Sequence, residues 1–216
     1  VAVSALLDAM TQRSLILARG ANPLSGLPGN EAIHREIEKR IAQMMHFDVC
    51  YVDIDHFKPF NDAYGFDRGD GALKQLVEVI NQVFSPYRDN GDFAGHLGGD
   101  DFILITRPQR SVRLCREIID RFNLALPELH GPHDFETGCY KAVNRRGQAE
   151  TFPLMSLSIG IVSTEVHHFE SVAELASIAS EVKKAAKSQS GSSVVRDRRL
   201  MELSVSEAAS PVAGGL

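Results

Sequence analysis

Two short apolar segments of the sequence each end at acidic residues, and this pattern limits the folds that the chain can adopt. Residues 47–52 are mostly apolar and predict a buried strand that ends at Asp53. Residues 92–106 hold two further strand-forming segments around Gly98-Gly99-Asp100, which is typical of a β-hairpin turn. A carboxylate is costly beside an apolar strand unless a cation meets it, so the pattern also indicates a charged site at the strand ends.

Amphipathic helices are predicted between and after these strands. Apolar side chains recur at helical spacing in residues 73–84, 111–126 and 172–187. Residues 127–150 are rich in proline, histidine and glycine, so we expect irregular structure there, with one strand near residues 135–142. A hairpin among alternating helices and strands favours an α+β fold with a largely antiparallel sheet over a purely parallel one.

Composition limits the functions that the chain can have. It has 216 residues, 44% of them hydrophobic, which is enough to bury one core. Its net charge of -5 argues against a nucleic-acid groove, which needs a basic face. No apolar run approaches the roughly 20 residues that span a bilayer, and no signal peptide is visible, so we expect a cytoplasmic protein without membrane insertion. Three widely spaced cysteines, Cys50, Cys115 and Cys139, predict buried free thiols.

The sequence divides into three predicted parts. Residues 1–21 carry apolar side chains at helical spacing, which predict either a helix packed on its own domain or a connector from an upstream domain. Residues 22–199 form the predicted folded domain, and the small, polar residues 200–216 predict a disordered tail. Because the chain begins at Val1, we expect it to be a fragment of a longer protein.

Asp53 and Asp100 are candidate ligands of one divalent cation. Mg²⁺ takes oxygen ligands, commonly one or two carboxylates together with phosphate oxygens. Two adjacent strand ends would bring these side chains to one ion, whereas each aspartate by itself is better explained as a turn residue. The acidic residues alone therefore leave both interpretations open.

Five motifs, in the same order, resemble the GGDEF family of nucleotidyl cyclases. Residues 53–71 are similar to the family's nucleotide-binding pattern D-x-D-x-F-K-x-x-N-D-x-x-G-H-x-x-G-D, and residues 98–102 have the sequence GGDDF where the family signature is GGDEF. The other three motifs lie in segments 22–28, 158–161 and 186–187. The resemblance implies a palm-like α+β sandwich with flanking helices, an N-terminal helix and a β-hairpin extension.

The resemblance also implies roles for individual residues. The implied metal ligands are Asp53, the carbonyl of Ile54 and Asp100, with Mg²⁺ or Mn²⁺ as the cofactor. The implied catalytic residues are Asp100, Asp101 and Lys58. The implied nucleotide-binding residues are Phe57, Lys58, Asn61, Asp70, Gly98, Gly99 and Lys187.

Asn61 and Asp70 would recognise guanine. Asp70 can accept hydrogen bonds from the ring N–H and the exocyclic amine, and Asn61 can use both ends of its amide. Adenine offers no matching donors, so this pair would discriminate between the two bases. From the sequence alone, Asn61 is equally explained as a turn residue and Asp70 as a helix N-cap.

The implied reaction joins two GTP molecules into cyclic di-GMP. The 3′-hydroxyl of one GTP would attack the α-phosphate of the other with release of pyrophosphate, and the step would then repeat in the opposite direction. Each domain would hold one GTP, so the chemistry requires a homodimer. Residues 130–153 resemble a hairpin extension of GGDEF domains that follow CBS-type or EAL domains, which implies an upstream regulatory domain of that kind.

Three departures from the family pattern bear on activity. Asp101 replaces the usual glutamate, which is one methylene longer, and a misplacement near 1 Å can lower a rate by ~100-fold. Gly191 falls where an arginine often assists the phosphates, and His96 stands where an arginine is common. Asp101 and Gly191 support one alternative to an active cyclase, a GTP-binding regulatory module. A second alternative is a dimerisation scaffold, against which the presence of Asn61, Asp70 and Lys58 counts.

The family's product-inhibition motif is Arg-x-x-Asp, and only part of it is present. Asp92 matches the aspartate, but Asp89 replaces the arginine, with Arg88 next to it. We therefore expect this inhibitory site to be absent or weak.

The histidines invite a metal-binding interpretation, which the spacing does not support. His130 and His133, like His167 and His168, lie in predicted loops without a cysteine or acid at ligand spacing. We expect all four to be surface residues, and we expect His56 to pack locally.

Overall fold

The computed structural model describes residues 20–143 and 147–197, apart from the side chains of residues 88 and 89. The predicted N-terminal helix in residues 1–21 falls almost wholly outside this part of the chain, and the predicted tail in residues 200–216 falls wholly outside it. Both remain predictions, as does the domain boundary at residue 199.

The described residues form a five-stranded sheet and a separate two-stranded hairpin. The strands are β1 (Asp48–Asp55), β2 (Phe93–Gly98), β3 (Asp101–Thr106), β4 (Cys139–Val143), β5 (Ala149–Pro153), β6 (Ser156–Ser163) and β7 (Ser193–Arg196). The order in the large sheet is β2-β3-β1-β6-β7, and only the β6–β7 pair is parallel. Strands β4 and β5 form the separate hairpin. The largely antiparallel sheet and the hairpin extension are thereby confirmed.

Helices cover both faces of the large sheet. They are α1 (Asn30–Ala42), α2 (Phe57–Tyr64), α3 (Phe66–Phe84), α4 (Ser111–Asn123), α5 (Leu126–His130), α6 (Pro132–Thr137) and α7 (Val172–Lys187). Alternate residues of β1 enter two cores: Val52 packs with α3 and α4, and Val49 packs with α1 and α7. Because both faces are covered, the strand is apolar almost throughout, which explains the continuous run in the sequence.

Gly160 of β6 sets how closely α7 approaches the sheet. A Cβ at this position would lie 2.7 Å from the backbone nitrogen of Lys183, which is closer than real Cβ atoms come to another heavy atom. Glycine therefore allows the helix backbone to rest directly on the strand. The C-terminal half of α7, which carries two lysines of interest, is positioned by this contact.

The segment between Asp55 and Gly71 differs from the sequence prediction. Its aspartate, proline, asparagine and glycine residues suggested a loop, but it contains α2 and the beginning of α3, separated by Gly65 at a φ of 88°. Pro59 is tolerated because it lies in the first turn of α2, where a missing N–H leaves no hydrogen bond unmade. Asp70 consequently lies inside α3 and is not its N-cap.

Two of the four histidines predicted at the surface are buried. His130 is 2% exposed, and its Nε2 accepts a hydrogen bond from the Met155 N–H at 3.1 Å. His167 is 3% exposed and lies 3.3 Å from Asp197. The prediction missed these contacts because both partners are distant in sequence, whereas His133 and His168 are exposed as expected.

The prediction of buried free thiols is borne out for two of the three cysteines. All three cysteines are free; Cys50 and Cys115 are buried, and Cys139 is half-buried. No helix within residues 20–143 and 147–197 is both long and apolar enough to cross a membrane.

Candidate functional site

The sheet brings two sequence-distant aspartates side by side. Asp53 near the end of β1 pairs in register with Asp101 at the start of β3, and both lie on the face covered by α1 and α7. Asp100 occupies the turn that leads into β3. Gly99, the first of the two turn residues, has a φ of 58°, which glycine adopts without strain. The hairpin thus presents two consecutive carboxylates next to the end of β1.

Two lysines of α7 neutralise these acids. Lys187 places its Nζ 2.6 Å from Oδ1 of Asp53, and Lys183 places its Nζ 3.2 Å from Oδ2 of the same carboxylate. Lys183 also donates a 2.8 Å hydrogen bond to Oδ1 of Asp101. The two lysines are four residues apart, so they share one face of the helix. Both oxygens of Asp53 therefore face an ammonium group.

The pKa directions in this corner follow from burial and from mutual charge. Burial raises the pKa of the Asp100 carboxyl, and the negative charge of Asp53 raises it further. Burial also raises the pKa of Asp101, although its hydrogen bond to Lys183 partly opposes the shift. Burial alone would lower the pKa of Lys183, but Asp101 and Asp53 together raise it well above its ordinary value. The contacts between the lysines and the carboxylates thus offset part of the negative charge of the corner.

His96 braces the acidic hairpin from behind. Its ring stacks on Phe102 at a centroid distance of 4.1 Å, and its Nε2 lies 3.0 Å from the carbonyl oxygen of Gly99. Since a carbonyl only accepts, Nε2 must carry the proton, and Nδ1 then accepts from the Ser25 hydroxyl at 2.9 Å. Burial lowers the pKa of His96, which favours this neutral form. His96, which stands where an arginine is common in the family, therefore connects Ser25 of the first motif to Gly99 of the signature turn.

The turn from β1 into α2 is built to meet an anion. His56 lies in the left-handed region at a φ of 59° and makes no side-chain cap to the helix, so the first-turn N–H groups of α2 are not capped by a side chain. This first turn contains no acidic residue and carries the exposed Lys58. Helix N-termini with free N–H groups attract phosphate. Phe57 and Lys58 thus lie in the first turn of α2, at a position suited to phosphate.

An unpaired amide faces the gap between α2 and α3. The Oδ1 atom of Asn61 is buried and has no hydrogen-bond partner among the described residues. A Cβ on Gly69 would lie only 1.7 Å from this oxygen, so the absence of a side chain there provides the room for the amide. The half-buried Asp70 follows directly on α3. A buried amide oxygen without a hydrogen-bond partner destabilises the protein, and a ligand that donates a hydrogen bond to it would remove this cost.

The oxygen atoms at the acidic corner are suited to a hard divalent ion that takes its remaining ligands from water or a bound substrate. Within residues 20–143 and 147–197, no group of three or more His, Cys, Asp or Glu side chains is arranged to hold a metal. Asp53 and Asp100 nevertheless interact electrostatically at one corner, and Oδ1 of Asp53 receives no well-directed hydrogen bond even though Lys187 is near. Two carboxylates and a strand carbonyl suit Mg²⁺, because this ion usually takes its remaining ligands from water or phosphate.

The structure thus groups the predicted site residues into three parts. Asp53, Asp100, Asp101 and Lys187 meet at the acidic corner, Phe57 and Lys58 begin α2, and Asn61 with Asp70 lies between α2 and α3. Sequence reasoning missed Lys183, although its spacing of four residues from Lys187 on an amphipathic helix was a usable signal. Gly191 has a φ of 72°, a conformation in which an arginine would be strained.

Asp92, the remnant of the inhibitory motif, already has an internal partner. Its side chain is 1% exposed and accepts a hydrogen bond from Nη2 of Arg110 at 2.5 Å. The guanidinium of Arg110 also stacks over the ring of Tyr87 at 4.7 Å. The side chains of the neighbouring residues 88 and 89 lie outside the described part of the chain. Oδ1 of this carboxylate is therefore engaged within the domain, whereas Oδ2 is buried without a hydrogen-bond partner among the described residues.

The surface cavities found among the described residues do not coincide with these groups. Four cavities of about 470, 430, 240 and 200 Å³ are lined by residues outside the three parts of the candidate site, and Asp92 lines the first of these cavities. The apolar one, between α1 and α7, reaches Tyr51 but none of the acids. Geometry and chemistry, not cavity size, therefore identify the candidate site.

The α+β fold, with a mostly antiparallel sheet flanked by helices, is shared with solved GGDEF domains. A family model described as "Diguanylate cyclase, GGDEF domain" matches residues 21–193, so the chain belongs to the GGDEF family.

Curated relatives match about half of the chain. "Diguanylate cyclase DgcP" of Escherichia coli K12 is 31% identical over 130 residues, which are 55% of this chain and 37% of that protein. "Diguanylate cyclase DgcP" of Pseudomonas aeruginosa is 30% identical over 110 residues, which are 49% of this chain and 16% of that protein. Most of each relative therefore lies outside the match.

Solved structures share the fold. Diguanylate cyclase SiaD of Pseudomonas aeruginosa, in complex with its activator SiaC, superposes with a TM-score of 0.62 at 20% identity, covering 90% of this chain and 70% of that one. The coiled coil and GGDEF domain of DgcB from Caulobacter crescentus, in complex with c-di-GMP, gives 0.61 at 20% identity, covering 90% and 95%.

Proposed function

We propose that the domain is a diguanylate cyclase that condenses two GTP molecules into cyclic di-GMP as a homodimer. The observation that carries the proposal is the register pairing of Asp53 with Asp101 beside Asp100 and two lysines of α7. Curated relatives of the same family carry that activity in their names. The buried amide oxygen of Asn61 and the uncapped first turn of α2 are also suited to a guanine nucleotide.

Each part of GTP would meet a different element. Asn61 and Asp70 would bind guanine, which offers the buried Asn61 oxygen the hydrogen bond it lacks. The first-turn N–H groups of α2, with Lys58, would bind the terminal phosphates. Lys187 would add a second positive charge after leaving Asp53. Gly98 and Gly99 allow the hairpin backbone to pass close to the nucleotide.

Asp53, Asp100 and the carbonyl of Ile54 would hold the divalent ion, Mg²⁺ or Mn²⁺. When bound, the ion would lower the pKa of the attacking hydroxyl and neutralise charge on the transferred group. In each step a 3′-oxygen bonds to an α-phosphorus, the bond to the β-phosphate oxygen breaks, and pyrophosphate leaves. Asp101 would accept the proton of the hydroxyl once its carboxylate is released from Lys183, and two such steps give one cyclic di-GMP and two pyrophosphates.

A homodimer is required because each domain has one such site. Two bound GTP molecules must face each other for reciprocal attack, so a lone domain would bind GTP without joining two of them. An upstream regulatory domain, of CBS or EAL type, would then control the geometry of the pair. The fold similarity to a cyclase that carries a coiled coil next to its GGDEF domain agrees with this arrangement.

A second candidate function is a GTP-binding regulatory module with little turnover. One observation favours it: the shorter Asp101 is hydrogen-bonded to Lys183, so its carboxylate is engaged away from the substrate. A scaffold without nucleotide is less favoured, because it would not account for the unpaired buried amide of Asn61.

One experiment separates these functions. The chain is incubated with GTP and Mg²⁺ or Mn²⁺, and the products are resolved by chromatography while GTP affinity is measured by calorimetry. Cyclic di-GMP that disappears in Asp100→Ala, but persists in the exposed control Asp67→Ala, supports the cyclase. GTP binding without product supports the regulatory module. Absence of GTP binding at millimolar nucleotide contradicts both.

A further inference from the structure

Lys183 is the most enclosed cation at the acidic corner. Its side chain is 16% exposed, compared with 42% for Lys187. Its ammonium contacts both Asp53 and Asp101 and lies 4.1 Å from the centre of the Tyr51 ring. Three partners on two strands thus hold one ammonium group between the carboxylates.

The position of this ammonium conflicts with a divalent ion on the same carboxylate. Lys183 places its Nζ 3.2 Å from Oδ2 of Asp53, and Lys187 places its Nζ 2.6 Å from Oδ1, so each oxygen has an ammonium group beside it. An ion that uses Asp53 must therefore compete with these ammonium groups. Lys187 is half exposed and can move toward solvent or phosphate, whereas Lys183 is held by Asp101 and Tyr51.

The charges at the corner lead to the same conclusion. Three carboxylates, Asp53, Asp100 and Asp101, meet two ammonium groups, which leaves one net negative charge. Removal of Lys183 would leave two net negative charges and free Oδ2 of Asp53. Both changes favour a divalent cation, because Coulomb attraction at a few ångströms is appreciable even when solvent screens it.

We propose that Lys183 is a built-in counter-cation that holds Asp53 and Asp101 and competes directly with the divalent ion for Asp53. The lysine stabilises Asp53 and Asp101 and weakens metal binding, because a divalent ion at Asp53 must bind beside its ammonium or displace it from that carboxylate. When it is displaced, Lys183 retains Asp101 and the face of Tyr51, and so keeps a positioning role toward the fourth signature residue. This inference rests on the metal site within the proposed function.

The test measures metal binding without nucleotide. Mn²⁺ is titrated into wild type and Lys183→Met, and free Mn²⁺ is followed by electron paramagnetic resonance, with thermal unfolding recorded in parallel. We expect Lys183→Met to bind Mn²⁺ about ten-fold more tightly or better, to unfold at a lower temperature without metal, and to gain more stability from Mn²⁺.

Two control variants make the result specific. Lys184→Met removes the same charge from the exposed neighbouring position on α7 and should leave both measurements close to wild type. Lys183→Arg keeps the charge and should keep the weaker Mn²⁺ affinity. Lys183→Gln replaces the methionine variant if that protein does not fold.

Each outcome has a defined meaning. Unchanged or weaker Mn²⁺ binding in Lys183→Met and Lys183→Gln overturns the proposal, and so does an equal gain in Lys184→Met. Absence of Mn²⁺ binding in every variant at millimolar metal also overturns it. Because the assay contains no GTP, failure of the proposed cyclase activity appears separately, as a protein that shows the Mn²⁺ effect but neither binds nor converts GTP.

Discussion

Replacement of Gly69 by alanine tests whether the Asn61 amide recognises guanine. A Cβ at residue 69 would lie 1.7 Å from Oδ1 and 2.8 Å from Cγ of Asn61, so the amide must rotate away. The displaced atoms are the end of a side chain and not backbone, so the fold can accommodate the change. The perturbation therefore moves one functional group without altering Asn61 itself.

The expected loss can be worked from the hydrogen bonds involved. Two bonds between the amide and the base, at roughly 0.5–1.5 kcal/mol each, give about 1–3 kcal/mol of GTP affinity. This corresponds to a GTP dissociation constant about 5- to 150-fold higher. ATP affinity should change little, so the preference for GTP should fall by about the same factor as GTP affinity.

Gly71→Ala is the matched control on the same helix. A Cβ at residue 71 would meet nothing within 4 Å, and neither glycine has a positive φ. This variant should bind GTP like wild type and gain about 0.5–1 kcal/mol of stability, because alanine favours a helix more than glycine does. Calorimetric titration with GTP and ATP, together with thermal unfolding of each variant, measures all of these quantities.

The assignment of Asn61 would be refuted if Gly69→Ala bound GTP as tightly as wild type. Equal losses for GTP and ATP would also contradict it, because a base-specific contact must affect the two differently. A loss of GTP binding accompanied by unfolding would instead indicate that the clash spreads into α3. The Gly71→Ala control distinguishes that result from a general sensitivity of the helix.

Three further predictions follow from other contacts. Burial lowers the pKa of His130 from 6.5 to about 4, so the unfolded chain binds a proton at higher pH than the folded protein does. The free energy of unfolding should therefore decrease by about 2 kcal/mol between about pH 7 and pH 5. Urea unfolding at several pH values should show this decrease in wild type and not in His130→Phe. Asp101→Glu restores the longer acid and should raise cyclic di-GMP formation by about 10- to 100-fold at unchanged GTP affinity; equal rates would show that reach does not limit turnover. Because Arg110 already occupies Asp92, calorimetry should detect no micromolar binding of cyclic di-GMP, and micromolar binding that Asp92→Ala abolishes would contradict this.

The sequence predicted the sheet well because its signals are local. The apolar run ending at Asp53 and the Gly98-Gly99 turn each lie within a few residues, and both became the expected strands and hairpin. The segment after Asp55 was mispredicted because its turn-forming residues are overridden by packing. Phe57 and Phe60, which bury the inner side of α2, outweigh the proline and asparagine that suggested a loop.

The candidate site was only partly predictable, because some of its contacts join distant elements. The resemblance supplied Asp53, Asp100 and Lys187, but it gave no role to Lys183, for which the spacing of four residues from Lys187 is the one local signal. The role of Lys183 depends on the packing of α7 against β6, which brings its ammonium group to Asp53 of β1 and Asp101 of β3. His130 illustrates the same limit, since its main-chain partner lies 25 residues further along the chain.

Asp101, which departs from the family signature, is in contact with Lys183, which the sequence analysis did not identify. Asp101 is one methylene shorter than the usual residue, and Lys183 reaches it through a 2.8 Å hydrogen bond. Lys183 can do so because Gly160 lets the α7 backbone rest on β6. A Cβ at residue 160 would block this close approach. The short acid therefore has a partner within its own domain, on the helix that also supplies Lys187 to Asp53. Competence for turnover then depends on whether bound GTP and a divalent ion release Asp101 from that lysine.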